Sequence, residues 1–242
     1  MCRLLGYVSD NKTNFTKLLK DDFPEFVDLS NVHGDGWGIA TDNSFMFREV
    51  NSAAKSAKFS QTISQLDSTG ALLHFRWATP GLAIKEENTH PFTHKGFSFI
   101  HNGSLKEVNA LDSLIDPRYF NEIKGDADSE RFFYFLLTQI DKNGFVEGVK
   151  SGIETMRKSV NYSSINCMIM NEDTYIVVAE HNPERIPPIF TADYYELRYK
   201  HTTHDVIVGS SGWNQSGWTL IPNHSMLVIN RQNFSCEVIV LN

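Results

Sequence analysis

The amino-terminal stretch Met1-Cys2-Arg3-Leu4-Leu5-Gly6-Tyr7 decides how the rest of the chain is interpreted. The apolar run from Arg3 to Ser9 predicts a short β-strand that begins directly after a cysteine. Removal of Met1 would leave the α-amine of Cys2 beside its own thiol. An α-amine has a pKa of ~7.7–8.0, so at neutral pH it can act as the base that activates this nucleophile. Position alone is weak support, since a cysteine tucked at the start of a strand is the simpler explanation.

The composition indicates one globular domain and disfavours two classes of partner. The chain has 242 residues, of which 41% are hydrophobic and 21% charged, which favours a single domain over residues 1–242. The formal net charge is −7. Nucleic acid and anionic lipid both reward a basic face, so neither is expected as a partner.

The compartment is predicted from targeting signals and cysteines. The start of the chain has no apolar run behind a basic segment, as a secretory signal would, and no stretch reaches the ~18 apolar residues that span a bilayer. The cysteines Cys2, Cys167 and Cys236 are odd in number and widely spaced, which argues against a disulfide framework. We therefore expect a cytoplasmic protein in which Cys167 and Cys236 are small buried hydrophobes.

Periodicity predicts strands, then two helices, then strands again. Asp128 is a suitable N-cap for a helix whose apolar face includes Phe132, Leu136 and Ile140. This order predicts one layered domain with helices packed on sheets. Strands are expected at 3–9, 39–41, 45–50, 71–78, 97–101, 166–171, 174–180, 206–210, 226–230 and 236–241, and helices at 14–20, 53–66, from 128 onward and at 146–158.

Polar residues lie at the ends of two of these predicted strands and at the start of one predicted helix. Arg76 closes a strand, where its guanidinium could hold a carboxylate through two parallel hydrogen bonds. Asn102 and the backbone N–H of Gly103 close another strand and could form an oxyanion hole. Asp128, at a helix start, could receive an ammonium group. Taken singly, each is better explained as a surface ion pair, a turn or a helix cap.

Six motifs along the chain together resemble those of the class II glutamine amidotransferases, which are N-terminal-nucleophile hydrolases. Asp-Gly-Trp-Gly and Asn-Thr-His-Pro-Phe look like the stand-alone branch of that family, and the stretch 209–222 extends the resemblance over nearly the whole chain. The motifs are Met1–Gly6, Asp35–Gly38, Arg76–Thr79, Asn88–Phe92, His101–Gly103 and Asp128–Glu130.

The resemblance implies an α+β fold and a role for each matching residue. The fold would be a four-layer α-β-β-α sandwich of two antiparallel sheets, forming a single class II glutamine amidotransferase domain over residues 1–242. The implied roles are Cys2 as nucleophile, Asn102 and Gly103 as oxyanion hole, Arg76 for a substrate α-carboxylate, Asp128 for its α-ammonium, and Trp77 and Thr79 at the substrate.

The reaction implied by this resemblance is hydrolysis of a γ-carboxamide. The thiol of Cys2 would attack the amide carbon, release ammonia or an amine, and leave a γ-glutamyl thioester that water converts to glutamate. No metal or organic cofactor is expected, because the nine histidines show no His-Glu-x-x-His spacing and the cysteines are unpaired. Pro80 departs from the synthase-linked pattern, in which many relatives have a histidine.

Three functions stay open at this point. The first is glutamine hydrolysis with ammonia passed to a separate protein, because 242 residues leave no room for a synthase domain. The second is hydrolysis of another γ-glutamyl amide, such as a peptide or thiol metabolite. The third is a non-catalytic subunit that retains Met1. The sequence names no partner and leaves a homo-oligomer open.

Overall fold

A computed structural model describes residues 2–242 and, of Val108, the backbone alone. Met1, whose removal the proposed chemistry requires, lies outside the described residues. Within them, no helix combines the length and apolar character needed to cross a membrane.

The described chain contains thirteen strands, six α-helices and five short 3-10 segments. The strands are β1 (Arg3–Thr13), β2 (Gly36–Thr41), β3 (Met46–Glu49), β4 (Ser68–Arg76), β5 (Phe92–His94), β6 (Phe97–Leu105), β7 (Tyr162–Met170), β8 (Thr174–Ala179), β9 (Leu197–His201), β10 (Asp205–Ser210), β11 (Thr219–Ile221), β12 (Ser225–Asn230) and β13 (Cys236–Val240). The α-helices are α1 (Phe15–Leu19), α2 (Asp22–Asp28), α3 (Ala57–Gln65), α4 (Pro117–Phe120), α5 (Asp128–Asn143) and α6 (Phe145–Ser159), and the 3-10 segments are Leu29–Asn31, Ala53–Lys55, Glu86–Asn88, Val108–Leu114 and Pro183–Arg185.

The strands form two antiparallel sheets. One has seven strands in the order β11-β9-β10-β1-β4-β2-β3, and the other has six in the order β13-β12-β8-β7-β6-β5. In the first sheet β1 is central, since it pairs with β10 on one edge and β4 on the other. The register Arg3↔Phe75 brings Cys2 and Arg76 to the same end of these two strands.

Three separate apolar cores show how the layers stack. One core joins α1, α2 and α3 to the outer face of the seven-stranded sheet, and includes Phe23 and Phe75. The second lies between the two sheets and includes Leu72 and Val177. The third joins α5 and α6 to the outer face of the six-stranded sheet, with Phe133 among its members. This confirms the expected α-β-β-α sandwich.

Several expected boundaries were wrong, for identifiable reasons. Asp128 is not the N-cap of α5 but its first helical residue; Ala127 precedes it without a side-chain cap. The helix expected over 53–66 is divided at Ser56, which caps α3 by accepting a hydrogen bond from Phe59 N–H. β6 continues to Leu105, so Asn102 lies inside a strand rather than after one.

Strands β5, β9 and β11 were not predicted. β9 has the sequence Leu-Arg-Tyr-Lys-His, with polar residues on both faces, and it is stabilised by pairing with β10 and β11. β5 and β11 are three residues long. Such segments carry too little apolar periodicity to be recognised from sequence.

The two sheets approach closely at Gly6 of β1. A Cβ atom at this position would lie 2.3 Å from Tyr175 Oη, on β8 of the other sheet, and 2.9 Å from Leu72 Cδ2. The Tyr175 hydroxyl donates to Met168 Sδ at 2.9 Å. The strand that follows Cys2 therefore packs against the second sheet through a position that admits no side chain.

Replacing Gly6 with alanine should lower the free energy of unfolding by about 1–3 kcal/mol, because the interior is already full. Adding Tyr175→Phe removes the nearest atom and should recover part of this loss in urea titrations. Tyr7→Phe is the matched control, since Tyr7 belongs to the core on the opposite face of β1. Equal recovery with Tyr7→Phe would contradict the close approach at Tyr175.

Three histidines are buried together near the end of β4 and β6. The rings of His74 and His90 are 4.1 Å apart between centroids, and those of His90 and His101 are 6.3 Å apart. Burial lowers the pKa of His74 to about 3 and that of His101 to about 4. It also lowers the pKa of His90 well below its ordinary value. All three are therefore neutral in the folded protein at neutral pH.

This cluster should make the fold acid-labile. The unfolded histidines bind protons below about pH 6.5, whereas the folded ones do not until about pH 4, so stability falls as the pH decreases through that window. Each histidine contributes about 1.4 kcal/mol per pH unit to the slope. Urea titrations from pH 7 to pH 4.5 should show a shallower slope for His74→Gln. His201→Gln removes an exposed ring instead, and its slope should follow that of the unchanged protein.

Candidate active site

Strand alternation directs Cys2, Arg76 and Asn102 toward the space between the two sheets. Side chains two residues apart share a face of a strand. Leu4, Leu72 and Ile100 belong to the core between the sheets. Cys2 therefore shares a face with Leu4, as Arg76 does with Leu72 and Asn102 with Ile100. The structure thus brings together three residues that are distant in sequence.

Cys2 is nearly enclosed, with 7% of its surface exposed. Its nitrogen donates to Asn102 Oδ1 at 2.7 Å. Its Sγ lies 3.9 Å from the backbone oxygen of Trp77. The nitrogen that would become the α-amine is thus held by a side chain of the opposite sheet.

Asn102 is fully buried, and only one end of its amide is used. Its Oδ1 accepts the bond from Cys2, while its Nδ2 donates to no residue that the structure describes. A buried donor without an acceptor is costly, so it marks a position where an oxygen of a ligand would be stabilised.

Gly103 follows Asn102 and lines the same cavity as Cys2. A Cβ here would fall 1.8 Å from the backbone oxygen of Ser164 on β7. Only glycine fits this close approach of β6 and β7. Its backbone therefore faces the cavity with no side chain between them.

Arg76 is the last residue of β4 and is 3% exposed. Its Nη2 donates to the oxygen of Ala83 at 3.1 Å, and its Nη1 finds no acceptor in the described chain. Burial lowers the pKa of Arg76 from its ordinary value, and the nearby Cys2, Asp35 and Asp128 oppose that shift. An arginine remains charged at neutral pH, so a cation with a free donor faces the cavity.

Asp128 begins α5 and is partly exposed. Its Oδ2 accepts from Leu105 N–H at 2.8 Å, and its Oδ1 accepts from Ser129 N–H at 2.8 Å. The Ser129 hydroxyl lies 2.8 Å from His101 Nδ1. These contacts fix the orientation of the carboxylate of Asp128, which lines the same cavity as Cys2.

A single cavity joins these residues. It has a volume of about 20 Å³, which is room for about one water molecule. Trp77 and Thr79 line it, whereas Asn102, which contacts the Cys2 nitrogen, is not part of its wall. The lining residues are Cys2, Arg76, Trp77, Ala78, Thr79, Leu82, Asn88, His90, His101, Gly103, Ala127, Asp128 and Ser129.

Two motif residues position the loop after Arg76, a function that the sequence did not suggest. Asp35 Oδ2 accepts from Ala78 N–H at 2.8 Å. Asn88 Nδ2 donates to the oxygen of Ala83 at 3.1 Å, and its Oδ1 accepts from Asp126 N–H at 2.8 Å. A single polar side chain in a motif does not reveal which backbone group it will reach.

Arg3 is a second cation near Cys2 that was missed. Its guanidinium lies 4.0 Å from the ring centroid of Tyr194, and its Nη1 donates to the Tyr194 oxygen at 2.9 Å. Burial lowers the pKa of Arg3, whereas Tyr194 and Cys2 raise it. The available signal was a charged residue within an otherwise apolar strand. Arg3 and Arg76 therefore place two buried guanidinium groups close to Cys2.

The other tryptophans and cysteines do not belong to this site. Trp37 is fully buried and donates to Glu49 Oε2 at 2.8 Å, and Trp213 packs against Trp218. Cys167 is buried as predicted, and burial raises the pKa of its thiol well above the ordinary value. Cys236 was predicted to be buried but is partly exposed, because β13 is an edge strand.

No group of three or more His, Cys, Asp or Glu residues within 2–242 is arranged to hold a metal ion. The histidine rings lie beside one another and beside aromatic rings, such as Phe92 and Phe132.

Curated relatives match most of the chain. The probable glutamine amidotransferase DUG3 of Saccharomyces cerevisiae is 23% identical over 261 residues, covering 86% of this chain and 73% of that protein. The uncharacterized protein MJ1515 of Methanocaldococcus jannaschii is 29% identical over 197 residues, covering 76% of this chain. The match covers 52% of MJ1515, so the chain spans about half the length of that protein.

Solved structures share the fold. A glutamine aminotransferase class-II domain protein from Silicibacter pomeroyi covers 99% of this chain with a TM-score of 0.68 at 16% identity, and all of that chain is matched. The glutamine PRPP amidotransferase of B. subtilis covers the whole chain with a TM-score of 0.64 at 17% identity, and 49% of that chain is matched. These likenesses confirm the N-terminal-nucleophile hydrolase fold expected from the sequence.

The family assignment rests on the sequence itself. The family model described as "Glutamine amidotransferases class-II" matches residues 1–182 of the 242. That span runs from the cysteine at the start of β1 through the arginine, asparagine and aspartate that surround the cavity. The chain belongs to the class II glutamine amidotransferases.

Proposed function

We propose that this protein hydrolyses the γ-amide bond of glutamine or of another γ-glutamyl compound, with Cys2 as the N-terminal nucleophile. One observation carries the proposal. The Cys2 nitrogen is 2.7 Å from Asn102 Oδ1, while the buried Nδ2 of the same side chain has no acceptor among the described residues. One amide thus holds the base and leaves a donor for the oxygen of a reacting carbonyl.

The first half-reaction forms a thioester. The Cys2 thiol gives its proton to the α-amine and attacks the γ-carbonyl carbon, which becomes tetrahedral. Asn102 Nδ2 and the Gly103 N–H stabilise the negative charge on its oxygen, where loss of one such donor typically costs ~10²–10³ in rate. The C–N bond then breaks, and the leaving nitrogen takes the proton from the amine.

The second half-reaction restores the enzyme. Water gives a proton to the same α-amine and attacks the thioester carbon. The C–S bond breaks and the departing sulfur takes that proton back from the amine, so the products are glutamate and a free Cys2 thiol. Trp77 and Thr79 form the wall on the leaving-group side, and Arg76 and Asp128 hold the glutamyl α-carboxylate and α-ammonium.

Two products of the amide nitrogen are compatible with this site. If the substrate is glutamine, ammonia leaves and a separate protein is its natural acceptor. If the nitrogen carries a substituent, a free amine leaves and no acceptor is needed. The names of the relatives favour glutamine as the substrate. The shape of the site favours a substituted amide instead.

A glutamine-mimicking diazoketone should label the protein once, at Cys2, after removal of Met1. Intact mass spectrometry should show one adduct on the protein without Met1 and none on Cys2→Ala. The other thiols should not react, because burial raises the pKa of both Cys167 and Cys236.

Cys236→Ala is the matched control, since it removes the more exposed of those two thiols. It should keep the adduct. Processed protein that stays unlabelled, or that is still labelled after Cys2→Ala, would overturn the assignment of Cys2 as nucleophile.

Asp128→Asn should lower kcat/KM for L-glutamine by roughly 10- to 100-fold, because a charge-assisted hydrogen bond to the α-ammonium contributes about 1.5–3 kcal/mol. Glutaramate lacks that ammonium, so its already slow hydrolysis should change little. Steady-state ammonia release measures both substrates.

The matched control is Asp126→Asn, two residues away. Its carboxylate is exposed and pairs with Lys85 Nζ at 2.8 Å. It should leave both rates unchanged. An equal loss on both substrates in Asp128→Asn would mean that Asp128 only supports the local structure through Leu105 and Ser129.

A further inference from the structure

A second, wider cleft adjoins the Cys2 cavity. It has a volume of about 510 Å³, compared with about 20 Å³ around Cys2. It is lined by Trp77, Ala78, Thr79, Pro80, Ser104, Lys106, Ser163, Arg185, Ile186, Pro187 and Pro188. We call this the Lys106–Arg185 cleft.

The cleft shares three wall residues with the cavity at the reacting centre. Trp77, Ala78 and Thr79 line both spaces. Ser104 follows the Gly103 backbone directly on β6. Since Arg76 and Asp128 occupy the part of the Cys2 cavity assigned to the glutamyl group, a substituent on the amide nitrogen would extend past Trp77 into this cleft.

The charged residues of the cleft are all cationic. Lys106 and Arg185 line it, whereas no aspartate or glutamate does. Neither side chain forms an ion pair within residues 2–242, and Arg185 makes one long bond, from Nη1 to the oxygen of Tyr162 at 3.4 Å. The formal net charge of the chain is −7, so a cleft with two unpaired cations has a charge opposite in sign to that of the whole chain. Such a pair favours an anionic ligand group.

The rest of the lining suits a small organic substituent. Trp77 and the Ile186-Pro187-Pro188 segment provide apolar surface. The hydroxyls of Ser104 and Ser163 lie 3.0 Å apart, and both serines line the same cleft as the two cations. An apolar wall that ends in hydroxyls and positive charge matches an amino acid bound through its carboxylate.

Resting on the proposed γ-glutamyl hydrolysis, we propose that this cleft binds the leaving amine and that Lys106 and Arg185 recognise a carboxylate on it. The preferred substrates are then γ-glutamyl amino acids or short γ-glutamyl peptides rather than glutamine. Cys2 Sγ bonds to the γ-carbonyl carbon, the C–N bond breaks, and the leaving nitrogen takes the thiol proton. The free amino acid departs, and water splits the thioester to glutamate and the thiol.

Three substrates isolate the carboxylate. γ-Glutamylglycine and γ-glutamylmethylamide differ by that group alone, and glutamine places nothing in the cleft. In processed wild-type protein, kcat/KM for γ-glutamylglycine should exceed that for the methylamide roughly tenfold or more. In Lys106→Gln/Arg185→Gln this ratio should fall to about one, while the glutamine rate, which reports folding and chemistry, changes less than about twofold.

The matched control is Lys12→Gln/Lys142→Gln, which removes two exposed cations outside the cleft and should keep the tenfold ratio. A wild-type ratio near one, or a ratio that survives in Lys106→Gln/Arg185→Gln, would overturn the carboxylate subsite while leaving the hydrolysis intact. Processed protein that cleaves none of the three substrates would overturn the proposed hydrolysis as well. The two failures are therefore distinguishable.

Discussion

The hydrogen bond between the Cys2 nitrogen and Asn102 Oδ1 is the contact on which the site depends. It crosses from the first strand of one sheet to the middle of a strand in the other. Its geometry requires the sheets to approach closely, which Gly6 permits by having no side chain against Tyr175. A small change in the distance between the sheets would displace the Cys2 nitrogen and thiol relative to the Asn102 amide. Core packing and site geometry are thus one constraint in this protein.

Charge around that bond is distributed unevenly, and under the proposed function this distribution would separate the two ends of a bound amide. Arg76 and Asp128 would offer opposite charges to the glutamyl end, where a zwitterionic head group carries both. Lys106 and Arg185 line the neighbouring cleft and would offer positive charge alone to the other end. The three histidines near the cavity are kept neutral by burial, so they add volume without charge. Polarity in this interior is therefore supplied by a few fixed groups.

Part of this was predictable from sequence, and the reasons for the rest are physical. The strand after Cys2, the helix after Asp128 and Arg76 at a strand end follow from local apolar periodicity, which extends over adjacent residues. Lys106 and Arg185 are 79 positions apart, and only the sheet order brings them to one cleft. Asp35 and Asn88 bind backbone atoms of a loop. A sequence does not show which backbone atom a side chain will reach, so these contacts could not be predicted. β9 is stabilised by its neighbours rather than by its own pattern.

The central place of β1 in its sheet has a consequence for biosynthesis. Leu5 pairs with Gly209, so one edge of the first strand stays unpaired until nearly the whole chain has been translated. At ~5–20 residues per second this interval is roughly 10–40 seconds. During that time the amino terminus is accessible to an aminopeptidase at the ribosome, whereas in the finished fold Cys2 is 7% exposed. If Cys2 is the nucleophile, as proposed, removal of Met1 is therefore easier before the pocket is complete than after it.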